Sequence, residues 1–138
     1  AESRLYLPTI PRQTFVVGGE GGALLGDVYD ASDLFRVGGA ATLRGYDEER
    51  FEANTYVRAL AEYRYALDPT SFAFAFFDLG YLRRPETPGV PASTQWAPGY
   101  GVGLQYRTPL GLASASLALN PEDGPTRARV HVGLSVGL

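Results

Sequence analysis

The sequence predicts an all-β chain folded as an antiparallel up-and-down transmembrane β-barrel. Three observations predict it. Apolar and polar residues alternate with period two in one segment after another, as they must where successive side chains point to opposite faces of a strand. The connections alternate between long and short, the habit of barrels that cross an outer membrane. The polar face of the alternation is rich in Gly and Ser and poor in Lys and Glu, which suits a crowded lumen better than a solvated surface.

The segments are justified in turn. Residues 4–10 read as the tail of a strand. In 13–26, Phe15, Val17, Ala23 and Leu25 share a side, with Glu20 opposite. In 55–67, Val57, Ala59, Ala61, Tyr63, Tyr65 and Leu67 share one face, and Arg58, Glu62 and Arg64 the other, with Leu60 the exception. Residues 71–81 break the rule, because Phe72, Phe74 and Phe76 oppose Ala73, Ala75 and Phe77; this strand is expected to be apolar on both faces. In 100–108, Tyr100, Val102, Leu104 and Tyr106 oppose Gly101, Gly103, Gln105 and Arg107. In 111–119, Ala113, Ala115, Leu117 and Leu119 oppose Ser114 and Ser116. In 127–138, Val130, Val132, Leu134, Val136 and Leu138 oppose Arg129, His131, Gly133, Ser135 and Gly137. Six strands are therefore clear, with a seventh at the start.

Between them lie a long connection at 27–53, a tight turn at 67–70, a long Pro-rich stretch at 83–98, a tight turn at 108–111 and a polar loop at 120–126. The segments suit a tilted bilayer span, which needs about 9–11 residues. A soluble up-and-down barrel or β-sandwich would show the same alternation with its faces reversed. Against it stand the Gly/Ser-rich polar face and the placing of Tyr63, Tyr65, Tyr81, Trp96, Tyr100 and Tyr106 toward strand ends, as in an interfacial girdle.

Composition removes several classes of chemistry. The 138 residues make one domain or a fragment of one, with a net charge of −3, no cysteine and one histidine. Scattered basic residues argue against nucleic-acid binding. The absence of cysteine and the single histidine leave little for a zinc site or a His-based nucleophile. No Ser/His/Asp set assembles, so no enzyme, metal or cofactor is expected.

The most informative stretch is 34–46, which runs from Leu34 to Arg44-Gly45-Tyr46. It is too polar and Gly-rich for a strand or helix, yet it is no linker. Together with Glu62-Tyr63-Arg64, with Phe76-Phe77-Asp78-Leu79-Gly80, and with the ending Gly99-Tyr100-Gly101 then Thr108-Pro109-Leu110-Gly111, it resembles the outer-membrane insertase and translocase superfamily. That family takes in BamA, TamA and the two-partner-secretion transporters, and is also called bacterial surface antigen. The match runs in order over 13–138.

The resemblance implies that these strands are the C-terminal six to eight of a sixteen-strand barrel. It also implies that the loop at 27–53 is extracellular and folds into the lumen. Arg44, Gly45 and Tyr46 would be the loop motif, Asp78 and Glu62 the lumen partners of Arg44, and Phe76 and Gly80 the strand motif. The implied work is insertion of outer-membrane proteins or polypeptide translocation in a Gram-negative outer membrane. The implied partners are outer-membrane lipids, substrate polypeptides, and periplasmic repeat domains or accessory subunits of the parent. In insertases the closing strand forms a weak seam, to which Gly133, Ser135 and Gly137 would contribute. The alternative is a passive pore or structural anchor of the same architecture.

Family members usually end in an aromatic residue, whereas this chain ends at Leu138. Six or seven strands are too few to close a membrane barrel, so a larger parent, or a short member completed by pairing in a homo-oligomer, is expected. His131 is expected to line the lumen. Gly18-Gly19-Glu20-Gly21-Gly22 lacks the lysine and helix of a phosphate loop. Asp27, Asp30 and Asp33, like Glu122 and Asp123, read as solvated loop residues.

Overall fold

A computed structural model describes residues 1–27 and 30–136 of the chain. Its strands in order are β1 (Glu2–Pro8), β2 (Gln13–Ala23), β3 (Phe35–Val37), β4 (Phe51–Ala53), β5 (Thr55–Ala66), β6 (Phe72–Arg84), β7 (Ser93–Thr108), β8 (Gly111–Leu119) and β9 (Arg129–Ser135). Seven of them form one antiparallel up-and-down sheet in the order β1-β2-β5-β6-β7-β8-β9. β3 and β4 pair only with each other, as a small ribbon inside the long connection. The first stretch is thus a full strand, and the stretch expected to be loop around Phe35 carries three residues of strand.

Local chemistry sets the tight turns. The Asp68 carboxylate accepts from the amides of Thr70 and Ser71 at 2.8 Å each, the self-bonding that suits Asp to turns. That carboxyl is held below its ordinary value by the same hydrogen bonds.

Register carries the face assignment from strand to strand. Val57, Tyr81 and Trp96 lie in one row, and Tyr63, Ala75, Val102, Leu117 and Val130 in another. These rows face outward: Trp96 is 63% exposed and Val130 69%. The opposite face carries Arg58, Glu62, Asp78 and Gly99, all buried. The alternation therefore resolves with the apolar flank outside and the polar flank enclosed. Phe72, Phe74 and Phe76 point inward, and Phe77 points outward and is exposed, so β6 is apolar on both faces.

One boundary differs from the sequence expectation. β7 begins at Ser93, so the long Pro-rich connection shrinks to the residues between Arg84 and Ser93, closed by a bridge between Thr87 and Val90. Pro98 is tolerated within the strand because pairing with β8 starts only at Tyr100. Before that point β7 has a neighbour on one side only, and a strand edge accepts the missing amide.

The buried apolar cluster is where the long connection meets the inner face of the sheet. Val37, Leu43, Tyr46, Phe51 and Ala53 pack there against Leu82 and Ala97. Leu43 and Tyr46 are fully buried, and burying one large apolar side chain is worth about 1.5–3 kcal/mol. This packing is what holds an otherwise polar segment inside the curve of the sheet.

Candidate functional site

Arg44 reaches the sheet interior from the loop. Its Nε and Nη2 donate to Oδ2 and Oδ1 of Asp78 at 2.8 and 2.7 Å, and its Nη1 donates to Glu62 Oε2 at 2.7 Å. The planar guanidinium suits this two-sided arrangement, since its fork matches a carboxylate on one edge and leaves a donor for a second. The Arg44 amide also donates to Asp78 Oδ2, at 3.3 Å. Asp78 is completely buried, so its charge depends on these partners. Burial alone would lower the Arg44 pKa, but the bonds to Asp78 and Glu62 outweigh it and raise the value.

Phe76 supplies the floor. The Arg44 guanidinium carbon lies 3.9 Å from its ring centroid, within the range where a cation is drawn to an aromatic face. Arg64 repeats the device over Phe72 at 4.4 Å and donates to Glu62 Oε1 at 2.6 Å. Two of the three phenylalanines on the polar face of β6, Phe72 and Phe76, are therefore platforms for arginines.

The loop backbone lies against the sheet because glycines admit it. Gly45 has φ of +100°, and a Cβ there would collide with the carbonyl oxygen of Leu119. A Cβ on Gly99 would collide with the carbonyl oxygen of Arg44. Gly80 is buried beneath Leu43, whose Cδ2 lies 3.0 Å from where a Cβ would stand. Tyr46 is buried and its hydroxyl donates to the Pro98 carbonyl at 2.8 Å. Burial is the main cause that pushes its phenol up to about 12.

Three further groups belong to this site without having been singled out by sequence. Arg58 is buried, lies 3.8 Å from Asp78, and donates from Nη1 to Glu20 Oε1 and to the Ala41 carbonyl at 3.2 Å each. Its shared parity with Glu62 was the available signal. Asn120, also buried, donates to the Gly45 carbonyl at 2.6 Å; nothing in its polar surroundings marks it in the sequence. The third is a charged latch at the long-loop end. Arg50 donates to Asp123 and Glu122 at 2.8 and 3.0 Å, and Arg129 grips Asp47 at 2.7 and 3.0 Å while lying 2.7 Å from Asp123.

The structure thus brings together Arg44, Glu62, Asp78, Phe76, Gly80, Gly45 and Tyr46. Gly133 and Ser135 lie apart from them on β9, a strand whose second edge has no ladder partner among the described residues. Gly137 and Leu138 lie outside the described residues. Beside the clamp is a cavity of about 290 Å³ whose lining includes Arg4 of β1, Ser116 of β8 and His131 of β9. The sheet must curl for strands at its two edges to share one cavity. Among the described residues no group of His, Asp or Glu is placed to hold a metal ion.

What the arrangement does is mechanical: it fastens a long loop to the inner wall of a curled sheet through charge, aromatic faces and close backbone contact. A comparison with curated proteins finds no match. The description of the Omp85 superfamily domain, by contrast, matches residues 2–136, nearly the whole chain. With that coverage, the chain belongs to the Omp85 superfamily, a family of outer-membrane barrels.

Proposed function

We propose that this chain forms part of the wall of an integral outer-membrane barrel that inserts outer-membrane proteins or moves polypeptides across that membrane. The observation that carries the reading is the loop clamped by Arg44 to Asp78 and Glu62 inside a sheet whose outer face is apolar.

The outer face supports membrane residence. Trp96 and Tyr106 lie ten residues apart on β7, with Tyr100, Val102 and Leu104 exposed between them. At about 3.3 Å per residue and a tilt near 40°, that spacing projects to roughly 25 Å, the height of a barrel's apolar band. A chemical role is not part of the proposal, which needs no nucleotide, metal or bond-making group.

The moving part of the proposal is β9. Gly133 and Ser135 put little side chain on its inner face, so a seam made along its free edge would be weakly packed and able to part for a substrate strand. The test is a disulfide engineered between β9 and the strand that closes the barrel against it. Insertion or secretion in reconstituted vesicles should stop when the bond forms and return on reduction. Undiminished transport with the seam locked would exclude lateral opening, and ion conductance without any polypeptide insertion would favour the passive pore.

A further inference from the structure

Charge is distributed very unevenly between the two faces of the sheet. Arginines and carboxylates crowd the inner face, whereas at the outward positions of the seven strands, among the described residues, one side chain is charged: Arg83. Its neighbours along β6, Leu82 and Arg84, turn inward. Leu82 is buried under the loop and Arg84 pairs with Glu52 at 3.0 Å. Arg83 itself is exposed, and its side chain makes no hydrogen bond or ion pair within the described residues.

Its position is a boundary. Arg83 pairs in register with Thr55 on β5 and Thr94 on β7, which makes a short polar row on the outer face. The next row inward is Val57, Tyr81 and Trp96, in which Tyr81 and Trp96 meet edge to face at 5.0 Å. Beyond that row, as far as Tyr106, the outer face of β5, β6 and β7 is Ala, Leu, Pro, Phe, Tyr and Val. Polar row, aromatic row and apolar band follow one another in the order of headgroup, interface and acyl chain. The guanidinium therefore stands at headgroup depth, with two hydroxyls beside it and no carboxylate on its face to neutralise it.

We infer that Arg83, with Thr55 and Thr94, binds the phosphate of a lipid headgroup in the leaflet on the long-loop side, while the acyl chains of that lipid pack beside Trp96. This rests on the membrane reading above and names a partner for it. Complementarity of charge selects the occupant. A guanidinium fork and two hydroxyls match phosphate oxygens, and the apolar surface continuing directly beneath matches a lipid better than a free ion or a protein.

Trp96, the chain's single tryptophan, is the reporter. The folded protein, with Trp96 as its only tryptophan, is placed in vesicles of phosphatidylcholine containing either brominated phosphatidic acid or brominated phosphatidylcholine. Quenching of Trp96 then gives the relative occupancy of the adjoining lipid position. One interfacial arginine is worth about fivefold in favour of the anionic lipid. That preference should fall to near unity in Arg83→Gln, return in large part in Arg83→Lys, and weaken with salt. A Trp96 signal quenched equally by both lipids in the unmutated protein, or a preference unchanged in Arg83→Gln, would overturn the inference while leaving membrane residence standing. Absence of quenching by any brominated lipid would instead overturn the membrane reading itself.

Discussion

Arg44 and Asp78 meet through two side-chain hydrogen bonds of 2.8 and 2.7 Å, with the loop amide of Arg44 adding a third contact to the same carboxylate. The aspartate is shut off from solvent. A pair of this kind contributes little net stability compared with apolar packing, but removing one member strands a buried charge, at a cost of about 3–5 kcal/mol. Its consequence here is positional: it decides where a long loop sits.

Arg44→Ala should therefore release the loop without dissolving the sheet. The strands are held by their own ladders, so circular dichroism should show unchanged β content, while limited proteolysis should cut within residues 38–50 at least tenfold faster. Arg44→Lys should rescue only partly, because an ammonium cannot bridge Asp78 and Glu62 with a fork.

Gly99→Ala probes the same contact from the sheet side. The added methyl would meet the Arg44 carbonyl oxygen, a backbone atom with little room to shift. Overpacking of this kind costs about 1–3 kcal/mol. The variant should lose loop protection as Arg44→Ala does, although it deletes no charge.

The latch between the loop and the entry to β9 should be sensitive to acid. The Asp47 carboxyl is held below its ordinary value chiefly by its hydrogen bond from Arg129. That of Asp123 is held well below it by Asn120 first, and then by Arg50 and Arg129. A depressed folded value means that the stabilisation is complete above the unfolded value of 3.8 and is lost as pH falls through the folded one. Hydrogen exchange of the amides in 45–50 and 120–128 should stay constant from pH 7 down to about 5, after correction for the intrinsic rate, and accelerate below 3.8. Asp123→Asn should show the faster exchange already at neutral pH.

Val102→Arg places a charge near the middle of the exposed apolar band between Trp96 and Tyr106. At a bilayer midplane this costs about 2–4 kcal/mol, so folding into vesicles should be impaired. The same substitution at inward Gln105 should be tolerated, since that position lines the polar cavity.

Much of this architecture was legible in the period-two pattern. The complete separation of Val130, Val132 and Leu134 from His131, Gly133 and Ser135 fixed the faces of β9, and register carries the same assignment through the rest of the sheet. Asp78 was not legible that way. It shares its parity with Phe72, Phe74 and Phe76, and only the arginines stacked over two of those rings explain why aromatics face the interior. The first residues of β7 were hidden by Pro98, which a locally unpaired edge accepts. Asn120 and the latch were invisible because their roles depend on loops meeting across more than 70 residues of chain, and periodicity reports only on neighbours.

The central claim is the orientation of the sheet, with its apolar flank against lipid and its polar flank enclosing the loop. The chain has no cysteine, so single cysteines can be introduced at successive positions from Val130 to Leu134 and spin-labelled in the reconstituted protein. Collision with dissolved oxygen, which concentrates in the bilayer, should peak at Val130, Val132 and Leu134, and collision with a water-soluble nickel chelate at His131 and Gly133. The opposite phase, with the valines reached by the chelate or by neither reagent, would contradict the account.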